Sequence, residues 1–145
     1  MNRKIILLSI KPKYASLIRS GEKKVELRRR IPKITSGDTI VVYESAPQKC
    51  ISMLFTVDHV LSATPEELWK LVRQDCGVTE HQFFGYFSKV DTAYGIVIGG
   101  ITFLDSYIPI SALKSVTRAP QSYLFLSSDD LEIIKNTNAA DVNKK

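Results

Sequence analysis

Ser20-Gly21-Glu22-Lys23-Lys24-Val25-Glu26-Leu27-Arg28-Arg29-Arg30 joins the end of a helix to the start of a strand, and its reading decides the fold. Gly21 supplies a left-handed helix stop. From Lys23 to Arg29 the residues then alternate with period two. Val25 and Leu27 share one face, while Lys24, Glu26, Arg28 and Arg30 share the other. Lys23 has the parity of the apolar residues but stands at the strand's mouth, where it can reach around the rim. Between Lys11 and Lys33 nine Lys or Arg face only Glu22 and Glu26, a local balance of +7 in a chain whose total is +5. The rest of the chain is therefore slightly acidic, and the basic character is a patch suited to an anionic partner.

Upstream of this stretch, Lys4 to Ile10 is a largely apolar run of buried-strand length, which predicts a central strand. Pro12 suits the first turn of a helix, and Tyr14, Leu17 and Ile18 recur at helical spacing, so Lys13 to Ser20 is predicted helical. Downstream, Ser36-Gly37-Asp38 signals a turn into the β-branched strand Thr39 to Tyr43. Cys50 to Leu61 alternates imperfectly and predicts a long, bending strand. Thr64-Pro65-Glu66-Glu67 and Thr79-Glu80-His81-Gln82 are two capping-box patterns in tandem, which predict a helix pair inserted between strands.

Ala93 to Leu104 is a second long apolar run, with Gly99-Gly100 marking a bulge, a break between strands or a close backbone approach. A short strand over Tyr123 to Leu126 and a helix from Ser127 or Ser128 to about Lys135 close the pattern. The expected class is α+β: a small mixed β-barrel closed by helices, one domain over residues 1–128, then a C-terminal helix and frayed tail over 129–145.

At 145 residues with 44% hydrophobic and 24% charged side chains, the chain has the composition of one ordinary globular domain. The apolar run after Arg3-Lys4 is too short for a membrane span or a signal core, so a cytoplasmic protein with no membrane association is expected. Cys50 and Cys76 lie far apart, and His59 and His81 are the only histidines. No metal-ligand spacing is visible, and neither a metal nor a cofactor is expected.

Ser9-Ile10-Lys11-Pro12 followed by Gly21, Lys23, Glu26 and Arg28 in the pattern G-x-K-x-x-E-x-R resembles the ASCH family of the PUA-like superfamily. Gly37-Asp38 matches a turn of that family. Tyr43-Glu44-Ser45, Phe87-Ser88 and Pro120-Gln121-Ser122 are similar to a short bacterial and phage subgroup labelled as transcriptional regulators. The resemblance spans about Ile5 to Leu126. It implies a PUA-like barrel with a cleft beside the signature strand, and RNA or nucleotide ligands. Some family members resemble small amidohydrolases acting on an acylated cytidine, but they carry a threonine where this chain has Glu26, which counts against that activity here.

Two functions follow as expectations. In the first, a basic cleft binds RNA, a nucleotide or another nucleic acid, with transcription regulation as one use. Its candidate residues are Lys11, Lys23, Glu26, Arg28, Arg30, Tyr43, Ser45, Tyr86, Gln121 and Ser122. Lys23 and Arg28 would hold phosphate or a base carbonyl and Glu26 a base amino group. Lys13, Arg19 and Lys33 would add long-range attraction, and Arg29 would be a bystander. In the second, Lys23 and Glu26 are catalytic and hydrolyse a modified nucleoside or RNA, Glu26 activating water. The competing structural view makes Glu26 one rung of an exposed ion-pair ladder on the strand. Phe83, Phe84, Phe87 and Trp69 are expected to pack, leaving Tyr86 as the aromatic for the site. A protein-binding role for the helix pair depends on whether Phe84 and Tyr86 are exposed.

Overall fold

A computed structural model describes residues 3–143, with side chains described to residue 138. The strands are β1 (Ile5–Ile10), β2 (Val25–Arg28), β3 (Thr39–Glu44), β4 (Cys50–Ala63), β5 (Ala93–Ile108) and β6 (Tyr123–Phe125). The helices are α1 (Pro12–Ser20), α2 (Pro65–Val72), α3 (Glu80–Tyr86) and α4 (Ser128–Asn143). All six strands form one sheet in the order β2-β5-β4-β3-β1-β6. β1 and β3 run parallel, joined by a crossover through α1 and β2, and the other neighbours are antiparallel. The sheet curls into a half-barrel with helices against it, the expected α+β class with the helix pair α2–α3 inserted between β4 and β5.

β1 is buried on both faces, which explains its unbroken apolar run. Ile6, Leu8 and Ile10 enter the inner core with α1, while Leu7 enters a second core under α4. The α1 signals also hold: Pro12 opens the helix, and Gly21 closes it at φ 83°, its N–H donating to the Ile18 carbonyl at 3.1 Å. β5 runs unbroken through Gly99 and Gly100. Of the alternatives for that pair, the bulge and the close approach are both realised: Gly99 and Gly100 together stand opposite Thr56, between the pairs Phe55–Ile101 and Val57–Ile98, and a Cβ at Gly99 would stand 2.8 Å from the Thr56 carbonyl oxygen. A second irregularity follows on β4, where Asp58 is the extra residue between the pairs Val57–Ile98 and His59–Val97, and a third lies between Ile51 and Met53.

The helix pair packs on the apolar face of β2. Phe83, Phe87, Leu68 and Val72 enclose Val25 and Leu27, and Trp69 lies 5.0 Å from the Phe83 ring, so Trp69 packs as expected. Thr79 and Gln82 complete a capping box, but at α2 only the hydroxyl half forms, Thr64 Oγ1 accepting from the Glu67 N–H. Helix α4 continues to Asn143, past the Lys135 end expected from sequence. One cause lies within the described side chains: Asn138 Oδ1 accepts from the Asp105 N–H of β5 at 3.0 Å, tying the later turns to the sheet. Residues 144–145 of the expected tail lie outside the described residues.

Two buried carboxylates hold loops to this frame. Asp38 accepts from the Lys4 and Thr35 N–H groups, both at 2.9 Å, and pairs with the Lys4 ammonium at 3.6 Å. Asp130 accepts from the Lys114 N–H at 2.7 Å and from the Ser115 hydroxyl, fastening the 114–115 turn to α4. Burial pushes the Asp38 carboxyl upward, but the two N–H donors and the Lys4 charge outweigh it and hold it below its ordinary 3.8. At Asp130 burial is likewise outweighed, by the Ser115 hydroxyl and the Lys114 and Ser115 N–H groups. A carboxyl with a depressed folded-state pKa contributes stability that is present above its unfolded value and lost as pH falls through the folded one. The urea midpoint should therefore stay level from neutral pH to about pH 5 and fall below about pH 4. Asp130→Asn should lower the neutral midpoint and flatten this acid limb, as equilibrium unfolding across pH would show.

Candidate functional site

β2 decides where the site lies, because both of its faces are covered. With Val25 and Leu27 against the helix pair, alternation turns Glu26 and Arg28 to the concave side of the sheet. There they border a cleft of about 620 Å³ between the β1–α1 junction, the β3–β4 turn, α3 and the segment 119–122. Lys11, Lys23, Glu26, Arg28, Tyr43, Ser45, Tyr86, Gln121 and Ser122 all line it. Arg30 does not. It lies in the exposed bend after β2, beyond the strand's last residue Arg28, where alternation no longer aims side chains. Lys24 is exposed as well and borders a separate shallow hollow beside α2.

Glu26 is 5% exposed and Lys23 3%. Lys23 Nζ lies 3.5 Å from Glu26 Oε1, and Arg28 Nη1 lies 3.3 Å from Glu26 Oε2. Each carboxylate oxygen is thus held by a cation. Lys23 also donates to the Cys76 carbonyl at 2.7 Å, and its ammonium lies 5.1 Å from the Tyr14 ring centroid. The exposed ladder of Lys24, Glu26 and Arg28 is therefore not what forms: Glu26 keeps Arg28 but takes Lys23 in place of the exposed Lys24, and the pairing is made in the interior. The Asp75 carbonyl accepts from the Lys24 and Val25 N–H groups, so the turn after α2 anchors both the start of β2 and the Lys23 side chain.

Arg28 has a further task. Its Nη1 donates to the Ser9 carbonyl at 3.1 Å, and its Nη2 donates to the Ser122 hydroxyl at 2.6 Å. Ser9 belongs to β1 and Ser122 immediately precedes β6, so an arginine on one edge of the sheet reaches the other edge. The Ser9 hydroxyl donates to the Pro120 carbonyl at 2.7 Å and fixes the same segment.

Tyr43 and Ser45 reach the cleft from the end of β3. Tyr43 is buried, and burial, followed by the neighbouring Cys50, raises its phenol above its ordinary value. Tyr86 is also raised, by burial and then by the Glu26 charge, against the lowering effect of Arg28 and of the Arg29 N–H. Its oxygen accepts from the Arg29 N–H at 3.3 Å, so Arg29 contributes backbone while its side chain stays exposed. Phe84 is half-buried against Trp69 and Phe83, whereas Tyr86 is exposed beside the cleft.

Arg19 leaves the expected phosphate-attracting group, because it pairs with the buried Glu44 carboxylate and lies 5.7 Å from the Tyr107 ring centroid. Sequence reasoning passed over Ser9, Tyr14, Lys49 and Gln82. Lys49, exposed at φ 51° in the turn before β4, borders the cleft and completes a set of four lining cations against one carboxylate. Only its place after Pro47, in a turn facing the signature strand, could have signalled it. Cys50 and Cys76 are both free thiols, and among the described residues no group of His, Cys, Asp or Glu converges as a metal site.

The ASCH domain family model matches residues 8–108. A curated relative, an ASCH domain-containing ribonuclease of Zymomonas mobilis subsp. mobilis, is 28% identical over 97 residues, covering 67% of this chain and 66% of the relative. The match thus spans just under two thirds of that relative's length. The crystal structure of ASCH from Zymomonas mobilis has a TM-score of 0.85 at 24% identity, over 93% of this chain and 96% of that one. Two mutant structures of that protein, one with tyrosine replaced by phenylalanine and one with serine replaced by alanine, also give 0.85. Each is 23% identical; the first covers 92% of this chain and 98% of that one, the second 93% and 96%. At such identities the likeness is one of fold, and the half-barrel here is the ASCH/PUA-like fold.

Because Glu26 is buried and pairs with the buried Lys23 and the partly buried Arg28, Glu26→Ala should cost about 3 kcal/mol of unfolding free energy. An exposed ladder would lose less than about 1 kcal/mol. Denaturant titration of the two proteins separates these values.

Proposed function

This chain belongs to the ASCH domain family, and on that footing we propose that its cleft binds RNA and cleaves its phosphodiester backbone. The supporting observation is the donor-rich character of the cleft. Lys11 and Lys49 stand there with the Tyr43, Ser45 and Ser122 hydroxyls, while Glu26, the one lining carboxylate, has both oxygens engaged. Such a surface suits a ligand made of acceptors, which a phosphodiester is. A relative named as a ribonuclease points the same way. The substitutions chosen in the Zymomonas mobilis structures, of a tyrosine and a serine, fall on residue types this cleft presents at Tyr43 and Ser122.

In this reading the ribose 2′-hydroxyl gives its proton to water and attacks the adjacent phosphorus to form a 2′,3′-cyclic phosphate, and the bond from phosphorus to the 5′-oxygen breaks as that oxygen takes a proton from water. Charge that develops on the phosphoryl oxygens is met by Lys49 and by hydroxyl donors. Because Ser122 Oγ accepts from Arg28, its own proton is free to point at the ligand. Tyr43, a protonated phenol at neutral pH, donates in the same way. Lys23, Glu26 and Arg28 act one layer back, as the frame that holds Ser122 and the floor of the cleft. The nucleoside-hydrolase alternative needs Glu26 to activate water, and a carboxylate with a cation on each oxygen suits that poorly. Any effect on transcription would follow from RNA bound or cleaved.

Single-stranded RNA should be cleaved by the wild type and about 100-fold more slowly by Lys49→Gln or Ser122→Ala. Arg73→Ala, an exposed change outside the cleft, should cleave at the wild-type rate. Gel-resolved digestion tests this, alongside release of the acyl group from an acylated cytidine. Acyl release with intact RNA would replace this reading by the nucleoside hydrolase. Affinity for uncleavable RNA should also fall by about tenfold or more between 50 and 200 mM salt.

A further inference from the structure

Helix α3 turns two residues toward the cleft that the phosphate chemistry does not use. Its Phe83 and Phe87 rings are 0% and 2% exposed and belong to the core, while Tyr86 is 42% exposed. Tyr86 is nevertheless held in place. Its hydroxyl donates to the Leu27 carbonyl at 3.5 Å and accepts from the Arg29 N–H at 3.3 Å, and its ring packs edgewise on Phe87 at 4.9 Å. A ring fixed at both ends with a face left open loses little entropy when a planar group stacks on it.

One helical turn earlier, Gln82 borders the same cleft. Its side-chain oxygen is consumed by the capping box, accepting from the Thr79 N–H at 2.9 Å. The amide nitrogen has no protein partner among the described residues, so Gln82 offers the cleft free N–H donors while its oxygen is turned toward the Thr79 N–H.

Resting on the RNA reading above, we propose that α3 is the base-reading wall of the cleft. An unpaired nucleobase stacks on Tyr86 and offers a carbonyl or ring nitrogen on its edge to the Gln82 amide. The cleft, of about 620 Å³, has room for a nucleotide-sized group, and a base can stack on Tyr86 only when it is unpaired, so the substrate class is single-stranded RNA or an unpaired loop. Base stacking on an aromatic ring tolerates any base, and the N–H donors of Gln82 add a preference for bases presenting an acceptor. A free nucleotide carries the same chemistry, and the probes below separate it from the polymer.

The test compares affinities for base-bearing and base-free probes. A 2′-O-methylated decauridylate, which cannot be cleaved through its 2′-hydroxyl, is titrated beside an abasic decamer of the same backbone, and uridine 5′-monophosphate beside ribose 5-phosphate. The wild type should bind the base-bearing decamer about tenfold or more tighter than the abasic one. Tyr86→Ala should erase that ratio, and Tyr86→Phe, which keeps the ring, should retain most of it. Gln82→Glu keeps the acceptor that caps α3 but removes the donor, and should reduce the ratio while abasic binding registers the added charge separately. The same ratio in the monomer pair would assign the wall to free nucleotides as well as RNA. Equal binding of both decamers by the wild type, or an unchanged ratio in Tyr86→Ala, overturns the base wall and leaves phosphate binding standing. Binding of neither decamer removes the RNA reading and this proposal with it.

Discussion

Arg28 holds the two edges of the sheet together, and the rest of the site depends on it. Hydrogen-bonded strand order leaves β2 and β6 as edges, yet the guanidinium of Arg28 on β2 reaches the Ser9 carbonyl of β1 and the Ser122 hydroxyl beside β6. The barrel is closed across that seam by a side chain rather than by a backbone ladder. A charged fork can do this because its donors satisfy several acceptors at once, and charge-assisted bonds are stronger than neutral ones. The cost is a cation largely out of water, which Glu26 offsets, as it also does for Lys23.

A side-chain seam leaves room that a ladder would fill. The cleft opens where β2 and β6 do not pair, and segment 119–122 borders it because Ser9 and Arg28 hold that segment at its edge. The inserted helix pair supplies the opposite wall. Its connecting turn receives Lys23, Lys24 and Val25 through the Asp75 and Cys76 carbonyls, so α3 is held rigidly against the signature strand. One strand thereby organises a core on one face and a polar cleft on the other.

Much of this was legible in the chain. Gly21, Pro12 and the second capping box act through local backbone geometry, which the sequence carries complete. Period-two alternation placed Glu26 and Arg28 on one face opposite Val25 and Leu27, as the strand requires. What alternation does not carry is whether a polar face meets water or protein. Glu26 looked alike as an exposed rung and as a buried counter-ion, and α2–α3 with the curl of the sheet decided between them. Arg30 lies off the cleft for a related reason: extending the period past Arg28 assumed a strand that had already ended. Arg19 failed because its partner Glu44 is 25 residues away in sequence.

The sequence by itself determined the elements, the class and the identity of the signature strand, since these rest on short-range rules of period, cap and turn. It also determined that positive charge gathers around one segment. Only the tertiary structure decided which charges are spent within the protein and which are left for a ligand. Arg19 is paired with Glu44, Lys23 and Arg28 share Glu26, Lys11 and Lys49 remain on the cleft, and Tyr86 alone among the α3 rings turns outward. The physical reason is that a charge's availability depends on its nearest counter-ion and its distance from water, and in a curled sheet both come from residues distant in the chain.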